Sequence, residues 1–289
     1  MNWPAACSSP LQTVPSATVE PLLVPDCGEA RDELPSLCLH HQAICGIDRA
    51  RRRAWVEFLV RGTGACRGRS PMELVRSGYA RSGAEFDLAV LDRAVKLSRA
   101  LHRDTRLGVN IHPASLHDPA FTRAVLRRVQ RQPDLVGRLM LELVEFQGAV
   151  DAPGCRPALL RLRRAGVRIA LDDFGPGAPN LDLIAEGLID ALKLDRSLVI
   201  ELHRAPRRLH MLGGLVELAR RTGMELVAEG VETVSQFDRL RQIGVPWMQG
   251  YLFGRPGPVR PAAATILPTA CPPRPDFRPA PNRSKEIDA

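Results

Sequence analysis

Lysine is almost missing from this chain. Only Lys96, Lys193 and Lys285 stand among 40 basic residues, so arginine carries nearly all of the net charge of +8. Ordered cysteine is missing as well. The seven cysteines, at 7, 27, 38, 45, 66, 155 and 271, are odd in number, scattered and without a CxxC pair. That excludes a regular disulfide framework and a cysteine zinc site, and a reducing cytoplasm is the expected location. No apolar run approaches the roughly 20 residues that span a bilayer, so no membrane segment is expected. Residues 1–36 lack the basic start and apolar core of a signal peptide. The Gly-rich stretch Gly62–Gly68 leads into no clear helix and is followed by no GKS or GKT, which argues against a phosphate loop of that type. Helix-turn-helix, zinc-finger and aromatic–basic RNA patterns are absent too. The run Arg49-Ala-Arg-Arg-Arg53 reads as a solvated turn. The basic balance, with a pI near 9.6, suits nucleic acid and an anionic nucleotide equally well, and without a nucleic-acid motif direct DNA binding is not expected.

Composition divides the chain into three parts. Residues 1–36 are rich in Pro, Ser and Ala without a sustained period and are expected to form a disordered arm. Residues 257–289 carry repeated prolines and are expected to form an extended, disordered tail. Between them, over 37–256, short β-rich runs alternate with amphipathic stretches. Candidate strands cover 37–44, 54–61, 106–112, 138–145, 168–174, 191–195, 225–231 and 247–253. The clearest helices cover 86–103, 121–131, 156–165, 207–222 and 235–243. Strand–helix–strand spacing of this kind implies crossover units and a largely parallel sheet. A (β/α)8 TIM-type barrel of the α/β class accommodates eight such strands better than an open doubly wound sheet.

Polar residues collect in these apolar strands: Glu57, Asn110, Glu142, Glu145, Asp172, Asp173, Lys193, Glu229, Glu232 and Gln249. One charge in an apolar strand can be a satisfied structural ion pair. Polar residues in seven strands, mostly near the C-terminal ends, point instead to the rim where barrels build their sites. Carboxylates with one Asn and one Gln, and neither His nor Cys, favour hard cations such as Mg²⁺, Mn²⁺ or Ca²⁺ over zinc. Two such ions would relieve the repulsion and could clamp a phosphoryl displacement. A compact lysine ammonium fits beside such a centre better than a guanidinium fork.

Four blocks give this pattern a family. Leu171-Asp-Asp-Phe-Gly175, Ala191-Leu-Lys-Leu-Asp195, Val227-Ala-Glu-Gly-Val-Glu-Thr233 and Gln249-Gly-Tyr-Leu-Phe-Gly-Arg-Pro256 resemble the EAL-domain family of cyclic di-GMP phosphodiesterases. The resemblance implies a modified barrel that hydrolyses cyclic di-GMP to linear pGpG with two Mg²⁺ or Mn²⁺ ions. It implies that Glu57, Asn110, Glu142 and Asp172 hold one ion, and Asp172, Asp173 and Glu229 the other. By the same resemblance Lys193 contacts the nucleophilic water, Gln249 completes the hydrogen bonding and Arg61 meets a substrate phosphate. Glu145 would brace the loop after the fifth strand, Glu232 would act behind the site, and a homodimer would form near that loop.

The chain departs from the family at that loop. Pro176-Gly-Ala-Pro-Asn180 replaces a segment rich in Thr, Ser and Tyr, and two prolines remove N–H donors and fix φ. Gln42-Ala-Ile stands where the family has Gln-Pro-Ile. His112, near Asn110, is read as a surface or supporting residue rather than a ligand. The altered loop leaves a second reading beside hydrolysis. In it the chain is a regulatory EAL protein with weak or no turnover, which binds cyclic di-GMP or a protein partner and represses gene expression, as in virulence control.

Overall fold

The computed structural model describes residues 36–47, 54–144, 152–175, 181–200, 202 and 205–259. All of the expected arm but Ser36, the Arg49–Arg53 run, Glu145, the Pro176–Asn180 loop and most of the expected tail lie outside these residues.

Eight strands close into a barrel: β1 (Leu37–Gly46), β2 (Trp55–Gly62), β3 (Arg106–Ile111), β4 (Leu139–Leu143), β5 (Arg168–Phe174), β6 (Ala191–Leu194), β7 (Glu225–Ala228) and β8 (Trp247–Met248). Pairing runs in order from β2 to β8, then to β1 and back to β2. From β2 to β8 all neighbours are parallel. The first strand departs from the expected pattern, being antiparallel to both β2 and β8. Its connection to β2 spans only 47–54, too short for the crossover that a parallel pair requires. A two-residue strand, β9 (Gly257–Pro258), adds to β1, so paired structure continues just past the expected boundary at 256.

Helices cover the outside: α1 (Pro71–Ser82), α2 (Ala84–Ser98), α3 (Pro119–Arg131), α4 (Ala152–Arg164), α5 (Leu181–Ala185), α6 (Arg196–Val199), α7 (Pro206–Thr222) and α8 (Val234–Gln242). The first of these was not legible as a helix, yet its start has a physical signature. Ser70 and Glu73 form a reciprocal capping box around Pro71, which satisfies two N–H groups that a helix start leaves without partners.

Strand alternation sorts the side chains. Leu107, Val109, Leu141, Ile169, Leu192 and Leu226 face the helices in one apolar layer. The opposite positions, Ile44, Trp55, Met140, Ala170, Ala191, Val227 and Trp247, form a second, separate cluster that fills the barrel interior. One step further along the same faces come Gln42, Glu57, Glu142, Asp172, Lys193 and Gln249, all buried. The apolar plug thus ends where the polar layer begins, at the C-terminal mouth. The same alternation applied at the strand starts places Arg106 and Glu225 at the opposite end of the interior. There Arg106 pairs with Glu225 at 3.2 Å and lies over Trp55 and Trp247.

Candidate metal and phosphodiester site

The mouth is built around Lys193. Its ammonium nitrogen lies 2.6 Å from Glu142, 2.8 Å from Asp172, 2.8 Å from Glu229 and 3.4 Å from Glu57. Glu57 is fixed from two sides: Asn110 donates to its Oε1 and Gln249 to its Oε2, each at 2.7 Å. Gln249 also donates to Gln42 at 3.1 Å, and Gln42 donates to the carbonyl of Gly254 at 2.9 Å. Gln42 was not recognised from sequence as part of this network, although its place in β1 opposite Glu57 puts it on the inner face.

Two backbone features admit this crowding. A Cβ on Gly108 would lie 1.9 Å from Oε1 of Glu142, so the neighbouring strand must carry glycine there. The second feature concerns Asp172 and Asp173. Adjacent strand residues normally point to opposite faces. Here Leu171 pairs with Leu192 and Phe174 with Leu194, so both aspartates bulge opposite Lys193. Asp173 has φ 52°, the only positive value at a non-glycine residue among the described residues. Aspartate tolerates that left-handed conformation better than most residues, at a cost of about 1–2 kcal/mol. The bulge therefore brings two neighbouring carboxylates to one rim.

Two groups of carboxylates converge so that their oxygens lie within 4.8 Å of one another: Glu57, Glu142 and Asp172, and Asp172, Asp173 and Glu229. The mouth thus holds five carboxyl groups and one ammonium. Burial raises the pKa of Glu142, and its neighbours Glu57 and Asp172 add to the rise, to about 8 despite Lys193. Burial likewise lifts Asp172 and carries Glu229 well above the usual carboxylate range. Asp173 is pushed up to about 6 by desolvation and by Asp172 beside it. Burial also acts to raise Glu57, but Lys193 and the two amide donors outweigh it and hold this carboxyl low. Lys193 is itself desolvated, yet its acidic neighbours raise its pKa well above the usual lysine value.

This chemistry calls for cations. Buried oxygens of Glu142, Asn110 and Gln249 have no hydrogen-bond donor, and those of Asp172 and Glu229 have only a share of the one Lys193 ammonium. Each such group would cost about 1–3 kcal/mol, and here all are acceptors with no spare donor among them. A hard divalent ion satisfies a set of that kind, so the residues present fit such an ion.

Other residues singled out in the sequence fall around this centre. Arg61 lies on β2, on the same face as Glu57 and further toward the mouth, with its guanidinium donating to the carbonyl of Val60 at 2.8 Å. Glu232 is exposed and pairs with Arg196 at 3.1 Å. His112 stacks on Tyr79 with ring centroids 4.1 Å apart and accepts from the N–H of Ala114, and it does not belong to either acidic group.

A barrel whose mouth gathers carboxylates around one lysine has the donor set of a divalent-cation site. The family is shown by comparison: the EAL domain model matches residues 30–256, and the chain belongs to the EAL-domain family. Cyclic di-GMP phosphodiesterase RocR of Pseudomonas aeruginosa is 37% identical over 162 residues, 55% of this chain and 40% of that protein. Cyclic di-GMP phosphodiesterase PdeL of Escherichia coli is 30% identical over 167 residues, 58% of this chain and 46% of that one. These matches thus span less than half the length of either relative. Among solved structures, an EAL domain protein from Listeria monocytogenes superposes with a TM-score of 0.70 at 24% identity, covering 78% of this chain and 91% of that one. BlrP1 of Klebsiella pneumoniae, solved as a calcium/cyclic di-GMP complex, gives 0.68 at 29% identity and covers 79% and 58%. None of the described helices is long and apolar enough to cross a membrane.

Proposed function

We propose that this chain is a metal-dependent phosphodiesterase that hydrolyses one phosphodiester bond of cyclic di-GMP to give linear pGpG. The observation that carries the reading is the excess of converging carboxylates over the single lysine at the barrel mouth. The relatives named as cyclic di-GMP phosphodiesterases and the calcium- and manganese-bound BlrP1 complexes support it.

In this reading Glu57, Asn110, Glu142 and Asp172 hold one divalent ion, Mg²⁺ or Mn²⁺, and Asp172, Asp173 and Glu229 hold the second. When bound, such ions supply an activated water and neutralise charge on the phosphate oxygens. The protein's part is preorganisation. Asn110 and Gln249 fix the plane of Glu57, leaving their own buried carbonyl oxygens without a donor. Lys193, held by carboxylates on several strands, places a fixed positive charge beside the position of the attacking water and the developing negative charge. Glu229 stands within reach of Lys193 and is a candidate proton acceptor. Arg61 at the entrance offers a guanidinium fork to a substrate phosphate.

A second reading has one observation behind it. Pro176-Gly-Ala-Pro-Asn180 begins three residues after the paired aspartates and lacks the family's hydroxyl residues, which favours a regulatory protein that binds cyclic di-GMP with little turnover. One experiment separates the two: incubation of the purified chain with cyclic di-GMP and Mg²⁺ or Mn²⁺, with pGpG followed by chromatography. Formation of pGpG that is lost in Glu57→Ala supports the phosphodiesterase. Tight nucleotide binding without pGpG, in folded protein, supports the regulator.

A further inference from the structure

Asp87 is a buried carboxylate that the site described above does not use. It lies in the first turn of α2, only 3% exposed, on the helix face that carries Val90, Leu91 and Ala94 into the core. A lone acid on that face is costly unless its oxygens find donors. A single oxygen, Oδ2, accepts from the backbone N–H of His112 at 2.9 Å and from the hydroxyl of Ser115 at 2.7 Å. Ser115 is fully buried and also lies 3.4 Å from the hydroxyl of Tyr79 on α1. Desolvation pushes the Asp87 carboxyl up to about 6, against the pull of those two donors.

The place these donors occupy in the fold matters. Pairing between β2 and β3 stops at Phe58 and Val109, while pairing between β3 and β4 runs on to Ile111 and Leu143. On its β2 side, the end of β3 therefore has no ladder beyond Val109. That end carries Asn110, whose amide fixes Glu57. The next backbone N–H on that side, at His112, goes to Asp87. The turn that follows, Pro113–His117, is tied to the same carboxylate through Ser115.

We propose that Asp87 is a positioning residue for the metal site: it replaces the missing strand pairing and holds the end of β3 so that Asn110 faces Glu57 and the first ion. The inference rests on the functional reading above. Asp87 touches neither substrate nor ion, and its effect passes through the backbone of His112.

Calorimetric Mn²⁺ titration of the full chain tests this, with circular dichroism melts to confirm folding and steady-state hydrolysis in parallel. Asp87→Leu, which keeps the volume and removes the acceptor, is expected to weaken Mn²⁺ binding about 10–100-fold, with a fall in kcat and little change in KM for cyclic di-GMP. Asp87→Asn, whose oxygen can take the place of Oδ2, is expected to stay within about threefold of the wild type, since the hydrogen bonds survive. Unchanged Mn²⁺ affinity in folded Asp87→Leu overturns the proposal, as does Asp87→Asn as weak as Asp87→Leu. Should Asp87→Leu fail to fold, Ser115→Ala, which removes one donor, decides the matter: weaker Mn²⁺ binding supports the proposal and unchanged binding overturns it. Wild-type protein that binds no Mn²⁺ removes the functional reading itself, and the positioning role falls with it. Wild-type binding with indifferent variants removes the positioning role alone.

Discussion

The two ends of the barrel interior bury charge in opposite ways. At the N-terminal end, Arg106 and Glu225 meet at 3.2 Å, and the indole N–H of Trp247 donates to Glu225 at 2.6 Å. One positive charge meets one negative, with the guanidinium against two tryptophan rings. At the C-terminal end four carboxyl groups lie against one lysine and a fifth, Asp173, converges with two of them. The first arrangement is balanced in charge, although the indole N–H of Trp55 and Nε of Arg106 find no acceptor. The second satisfies itself only by taking up protons, as the raised pKa values of Glu142 and Asp173 indicate, or cations. Burial alone therefore does not mark a functional charge. Imbalance does, because an uncompensated buried charge costs several kcal/mol that a ligand can offset.

That contrast orders the expected effects of perturbing each end. The largest is on catalysis at the mouth. Glu57→Ala should lower hydrolysis at least about a thousandfold, measured as pGpG release, while nucleotide binding survives; an undiminished rate would remove Glu57 from the metal site. The next belongs to the balanced end. Glu225→Ala leaves Arg106 buried without its carboxylate and should cost about 3–5 kcal/mol in denaturant unfolding, with Mn²⁺ affinity unchanged in the folded protein. A loss of affinity there would show that the two ends are coupled.

A smaller effect concerns pH. Carboxyl groups with raised folded-state pKa values bind more protons in the folded than in the unfolded chain, so stability falls as pH rises through the gap. For Glu142 that gap runs from about 4.5 to about 8, and for Asp173 from about 3.8 to about 6. Glu57, held low, works in the opposite sense but mainly below this window. The metal-free melting temperature should therefore drop between pH 5 and pH 8 in the presence of chelator, and saturating Mn²⁺ should remove most of the drop. A metal-free protein that gains stability over that range would contradict the imbalance. The smallest effect is a change of sign. Glu142→Gln relieves repulsion and should leave the metal-free melting temperature unchanged or raise it by about 2–4 °C, while abolishing stabilisation by Mn²⁺. An equivalent change at Glu225 should only destabilise.

The sequence showed the mouth more clearly than the rest because its residues break a pattern. Glu57, Glu142 and Lys193 each interrupt an apolar strand, and strand alternation then forces them inward. Arg106 and Glu225 were passed over because they open their strands, where a charge reads as the end of a loop. Asp87 was hidden for a related reason. It sits among acidic first-turn residues, where carboxylates are ordinary, and only its spacing from Val90, Leu91 and Ala94 showed it on the buried face. The antiparallel first strand was not legible either, although the short link over 47–54 carried the signal. The bulge at Asp172 and Asp173 lay beyond pattern reading, since it depends on register against β6.

The central claim is that the mouth is a divalent-cation site, and calorimetric titration of Mn²⁺ into metal-free protein near pH 7, in two buffers of different ionisation enthalpy, tests it most directly. The account predicts saturable binding of two ions per chain with protons released, because Glu142, with its pKa near 8, must give up its proton to a cation. No saturable binding by folded protein, or binding that is unaltered in Glu57→Ala and releases no protons, would contradict it.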